Sequence, residues 1–165
     1  MNISESSSVV QAVSSVVSAG GVCLVFWQVR KAKEVAVMQN TLAFIDSESR
    51  EHLHLRLCEA LAPFFDHRAS YAIVDAETSE KIRESRHATD ALEAYLNWWE
   101  RVAVSIELKA FDEKMCRARF GRLLVSSYRR YEGVILEWRK PWPTCYVSLE
   151  KIAKKWEAME VRALT

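Results

Sequence analysis

Residues 9–33 read VVQAVSSVVSAGGVCLVFWQVRKAK, and the architecture turns on how they are taken. No charged side chain occurs from Ser6 to Val29. At about 1.5 Å of helix per residue, some twenty residues cross a hydrocarbon layer about 30 Å thick. Gln11, Ser14, Ser15 and Ser18 dilute the segment, and Trp27 stands where an interfacial aromatic stands. Arg30, Lys31 and Lys33 follow at once. Basic residues on one flank mark the cytoplasmic side, so the spacing predicts an extracytoplasmic tail (residues 1–7), a transmembrane helix (8–29) and a C-terminal domain inside. A cleaved signal peptide needs a positive start, and Met1–Ser8 has none. A buried core helix rarely runs beyond about twenty residues without a charge. Ser14, Ser18 and Gly21 fall on one stripe and are candidate contacts for self-association in the membrane.

Outside this segment the chain is ordinary for a globular domain. Half of the 165 residues are hydrophobic, and 27% are charged. Only four glycines and three prolines are present, which argues against many short strands and tight turns. Net charge is +1, and residues 1–29 hold a single charge, Glu5. A nearly neutral domain lacks the basic footprint of a nucleic-acid binder. Cys23, Cys58, Cys116 and Cys145 form no CxxC motif and read as small hydrophobes in a reducing compartment.

No Gly or Pro lies between Gly21 and Pro63, so the first helix is free to continue as a stalk over residues 30–45. Asp46 and Ser47 offer caps for a new helix, whose apolar positions Leu53, Leu57, Leu61 and Phe65 recur every four residues. Asp75, Thr78 and Ser79 are caps for a short polar helix, Glu80 to about His87. Asp90 with Glu93 has the spacing of a capping box before the clearest stripe in the chain: Leu92, Tyr95, Leu96, Trp99, Val102, Ala103 and Ile106. Asp112 caps a further helix with Met115, Phe120, Leu123, Leu124, Tyr131, Val134, Ile135 and Trp138 inward, and Gly121 in it suggests a close helix contact. Pro141-Trp142-Pro143 ends it. Ser148 then caps a last helix with Leu149, Ile152, Trp156 and Met159 inward, and Val147 and Ile152 at staple positions. The fold class is therefore all-α: one N-terminal transmembrane helix, extended as a stalk, and a small cytoplasmic helical bundle over residues 46–165.

Two Glu-x-x-His pairs, Glu51 with His54 and Glu84 with His87, are the metal candidates. In di-iron bundles such pairs converge with one Glu from each of two more helices, here Glu93, Glu100 or Glu107. No nucleophile elbow, zincin motif or P-loop is present, so no catalytic or cofactor-binding residue is assigned. Basic residues gather between Lys114 and Lys140, beside Trp138 and Trp142. Trp98, Trp142, Arg139 and Lys140 are the interaction candidates, for a protein surface or anionic lipid.

Leu96-Asn97-Trp98-Trp99-Glu100-Arg101-Val102-Ala103-Val104, then Phe111-Asp112-Glu113-Lys114, then Phe120-Gly121, resembles a bacterial family of short uncharacterised membrane proteins. That pattern has one N-terminal transmembrane helix and a cytoplasmic helical domain, with an Asn-aromatic-aromatic-Glu core helix, an Asp-Glu turn and a Phe-Gly pair. The resemblance covers roughly residues 30–140, implies the same topology at the bacterial inner membrane, and carries no activity or cofactor. Residues from Pro141 on match nothing in it. The expected function is non-catalytic: a membrane-anchored helical domain that meets a protein partner or a second copy of itself. A membrane-perturbing effector, such as a toxin or phage-defence component with a polar-lined bundle, is the alternative. A di-iron carboxylate protein is the second.

Overall fold

The computed structural model describes residues 3–46, 49–65 and 73–164, with side chains from Leu24 onward in the first segment and as far as Glu160 in the last. Among the described residues six α-helices run in chain order: α1 Ile3–Ile45, α2 Ser49–Leu61, α3 Ala76–Glu84, α4 Arg86–Glu107, α5 Glu113–Arg139 and α6 Val147–Leu164, with a 3-10 turn at Ala62–Phe64. Among the described residues there is no strand. The chain divides into two compact units, Met1–Gln39 and Asn40–Thr165.

The first unit is the larger part of α1. Its described side chains are exposed or nearly so, including Leu24, Val25, Phe26, Trp27 and Val29. Lys31 and Arg30 both reach Glu34, at 2.9 and 3.6 Å, as residues three and four apart on a helix do.

The second unit is built around α4. The whole sequence-predicted stripe from Leu92 to Ile106 is buried, because residues at spacings of three and four share one helix face. Helices α2, α3 and α6 pack on α4, and α5 packs on α6 and α3. Trp98 and Trp99 are both buried, their rings edge to face at 4.7 Å, with Phe120 of α5 meeting each edge-on. Trp98 stacks on Phe44, from the last turn of α1, at 5.1 Å. Phe44 also meets Phe111, and the Thr41 hydroxyl accepts the Asp112 N–H at 2.8 Å. The compact unit thus begins at Asn40, because Thr41 is buried in it and Phe44 and Ile45 pack against its core.

Helix starts differ from the sequence reading in three places. The cap of α3 is Asp75, accepting Thr78 N–H at 2.7 Å, so the helix begins at Ala76 and ends at Glu84. The cap of α4 is Ser85, and Asp90 lies in the second turn of the helix rather than before it. Ser148 lies inside the first turn of α6, and Val147 is 46% exposed, so the staple does not form. Asp112 caps α5 as expected, accepting Met115 N–H at 2.8 Å. Ser47 lies outside the described residues, and Asp46 is the last described residue before it. Leu123 and Met159, expected inside, are exposed at the edges of their stripes. At Gly121 an added Cβ would meet only Arg117 Cγ of its own helix, at 3.4 Å, so no neighbouring helix requires glycine there. The close approach is at Gly133, whose Cβ would meet the Val74 carbonyl oxygen at 3.6 Å and Ser79 Oγ at 3.9 Å.

Candidate functional site

Exposure of apolar surface is concentrated in α1. Leu24, Val25, Phe26, Trp27 and Val29 are each more than half exposed on consecutive turns. Only Gln28 interrupts this apolar run, and exposed apolar patches mark contact surfaces. Among the described residues, however, no helix is long and apolar enough to cross a membrane. The side chains of residues 8–23, most of the apolar segment, lie outside the described set, and with them the packing candidates Ser14, Ser18 and Gly21.

The corner between α5 and α6 carries three of the four interaction candidates. Trp142 is 65% exposed, and Lys140 is exposed and pairs with Glu137 at 2.5 Å. Arg139 is different. Its guanidinium donates to the carbonyls of Cys145 (2.7 Å) and Tyr146 (2.9 Å) and to the Glu150 carboxylate. A planar fork with several fixed donors suits such a latch. It holds Tyr146 in the left-handed region, at φ 55°, which an aromatic residue rarely adopts. Lys154 and Arg139 together hold the Glu150 carboxyl down to about 2. Arg139 therefore fixes the turn and offers little to a partner. Trp98, the fourth interaction candidate, is buried under Phe44.

The carboxylates set aside for a metal serve α6 instead. Glu100 accepts Ser148 N–H and Leu149 N–H at 3.2 and 2.7 Å, placing a negative charge on the positive end of the α6 dipole. Glu107 accepts the Ser148 hydroxyl at 2.6 Å and pairs with Lys151 at 2.6 Å. The bond with Lys151, then that with Ser148, lowers its pKa. Glu113 of α5 does the same for the core, accepting the indole N–H of buried Trp156 at 3.0 Å. Glu93 is exposed.

The Glu-x-x-His pairs do not converge. Glu84 ends α3 and His87 lies in the first turn of α4, with the extended Ser85 between them, so the shared-face geometry of one helix is absent. Glu51, His54, Glu84 and His87 are all exposed, and no group of three metal-ligating side chains occurs among the described residues. His54 instead faces Cys58, Nε2 to Sγ at 3.6 Å, with Tyr95 at 6.0 Å between ring centroids. Partial burial, then the Arg50 and Arg130 cations, lower the His54 pKa. Cys58, read as a small core hydrophobe, is exposed, whereas Cys116 is buried and its thiol is pushed up to about 11 by burial. The signal for the His54–Cys58 pair was its spacing of four in α2.

A cavity of about 380 Å³ opens between α3 and α5, lined among others by Val74, Ser79, Gly133, Val134 and Trp138. The Arg83–Glu80 ion pair, 2.7 Å, lies on it, and Ser79 Oγ is buried there without a partner among the described residues.

Among the described residues the unit is all-helical, with Glu100 and Glu107 bound to the start of α6 and Trp98, Trp99 and Phe120 packed in the core. The family model described as a domain of unknown function (DUF4760) matches residues 15–156, and the chain belongs to that family. No curated protein and no solved structure matches the chain.

Proposed function

We propose that this protein is a non-catalytic, membrane-anchored helical scaffold. Residues 8–29 span the bacterial inner membrane once, residues 1–7 lie outside, and the domain that begins at Asn40 meets a protein partner or a second copy in the cytoplasm. One observation carries the reading: the exposed apolar run Leu24–Val29 of α1, followed directly by Arg30, Lys31 and Lys33. Lipid is the medium that covers such a cuff at least cost, and the basic cluster sets its orientation. The uncharged stretch Ser6–Val29 has the length that a crossing needs. The functional surface of the domain is then what stays exposed beside the latch, Trp142 and Lys140 first.

Membrane fractionation with an alkaline wash, together with a C-terminal reporter active only in the cytoplasm, tests the anchor and its orientation. Retention in the washed membrane with an active reporter is expected. Release into the soluble fraction, or an inactive reporter on a protein retained in the membrane, overturns it. Depolarisation of cells on expression would favour the membrane-perturbing reading, for which the serines and glycines of the segment are the motive.

A further inference from the structure

The exposed face of α2 carries a Cys–His pair that no assigned role uses. His54 and Cys58 are four residues apart, one turn of helix, and His54 Nε2 lies 3.6 Å from Cys58 Sγ. Zinc binds thiolate at about 2.3 Å and imidazole nitrogen at about 2.0–2.1 Å with tetrahedral angles. Two such bonds place their sulfur and nitrogen about 3.6 Å apart, so the two ligand atoms already stand at the edge length of a zinc tetrahedron. Both side chains face solvent, and α2 offers no third ligand to them among the described residues. Leu55, beside the pair, is 59% exposed.

We infer that His54 and Cys58 are half of a structural zinc site, completed by His54 and Cys58 of a second copy of this chain. On binding, each Cys58 thiol gives its proton to solvent as the S–Zn bond forms. Two thiolates then balance the 2+ charge of the ion, and a neutral Cys2His2 centre results. That neutrality matters because Arg50 and Arg130 act electrostatically on His54, and a centre with net positive charge would be repelled there. A two-fold axis through the metal makes the contact isologous, with Leu55 of each copy beside the seam. The inference stands apart from the membrane reading, since it concerns only α2.

The test is sedimentation of the purified full chain in mild detergent, with added Zn²⁺ and with a chelator, alongside metal analysis. One zinc per two chains and a zinc-dependent shift from monomer to dimer are expected. Co²⁺ in place of zinc should show the thiolate charge-transfer band and the strong visible bands of a tetrahedral ion. Cys58→Ser and His54→Ala should each weaken zinc binding by more than the roughly 10–100-fold that loss of an outer-shell partner costs. Both sites are exposed, and an unchanged circular dichroism melt checks the fold. Cys145→Ser, at a half-buried thiol outside α2, should bind as the parent does. No bound metal, one zinc per chain without a change in mass, or full binding by Cys58→Ser would overturn the inference. Dimers that persist in chelator and in both variants would assign self-association to another surface and overturn it equally.

Discussion

At Gly121 the backbone is helical, and the nearest atom to an added methyl is Arg117 Cγ at 3.4 Å, an ordinary van der Waals contact. Glycine in a helix interior costs about 0.8–1.0 kcal/mol against alanine. Gly121→Ala should therefore raise stability by about that amount, read as a higher midpoint in denaturant; a loss of stability would show a contact not visible in the geometry. Trp98 gives the opposite case. It stacks on Phe44, meets Trp99 and Phe120 edge-on, and is only 3% exposed. Trp98→Ala should cost about 3–5 kcal/mol, whereas Trp142→Ala, on the open corner, should change stability little. The same pair shows what a sequence pattern conveys about single residues. Adjacent helical positions lie about 100° apart, so periodicity placed Trp99 inside and left Trp98 at the rim. What buries Trp98 is a ring 54 positions earlier in the chain, and no local spacing carries that information.

Elements are joined by acidic side chains set at helix starts. Glu100 of α4 accepts the N–H groups of Ser148 and Leu149, which have no partner within α6. Glu100→Ala should cost about 1–2 kcal/mol and raise hydrogen exchange at the start of α6 ahead of α4. Uniform exchange across both helices would refute that role. Glu150 shows how this wiring answers to pH. Its folded pKa is about 2 against an ordinary 4.5, with Lys154 the first cause and Arg139 the second. A lowered carboxylate pKa stabilises the fold fully above the unfolded value and is lost as pH falls through the folded one. Stability should therefore decline from about pH 5 toward pH 2. Glu150→Gln should flatten that decline while lowering stability at pH 7, as acid titration of the melting temperature would show. Helix existence, the central stripe and the Asp112 cap were legible because capping and periodicity are local. The α6 cap was not, because its acceptor sits on another helix, and the second Glu-x-x-His misled because Ser85 breaks the helix between its members.

For the whole molecule, the sequence presented a helical chain with one long uncharged segment, and the compact unit from Asn40 bears out the helical part. The boundary between stalk and domain was drawn at residue 45 because Asp46 and Ser47 offer helix caps there, whereas Thr41 and Phe44 pack with the core. On the proposed anchoring, replacing Leu24 and Phe26 together with Asp should move the protein from the membrane to the soluble fraction without changing the melt of the domain, since neither residue belongs to that core. Continued retention in the membrane would mean that another surface holds it there.

The position of Phe44 also governs how this protein can be taken apart. A protease that severs the chain just before Asn40 sheds a complete domain, with its aromatic lid in place. A cut after Phe44 carries the lid away, uncovers Trp98, and strips the Asp112 N–H of its acceptor on Thr41. Shedding and destruction are thus separated by about one turn of helix. Limited digestion followed by intact-mass measurement should find the stable fragment starting at or before residue 40.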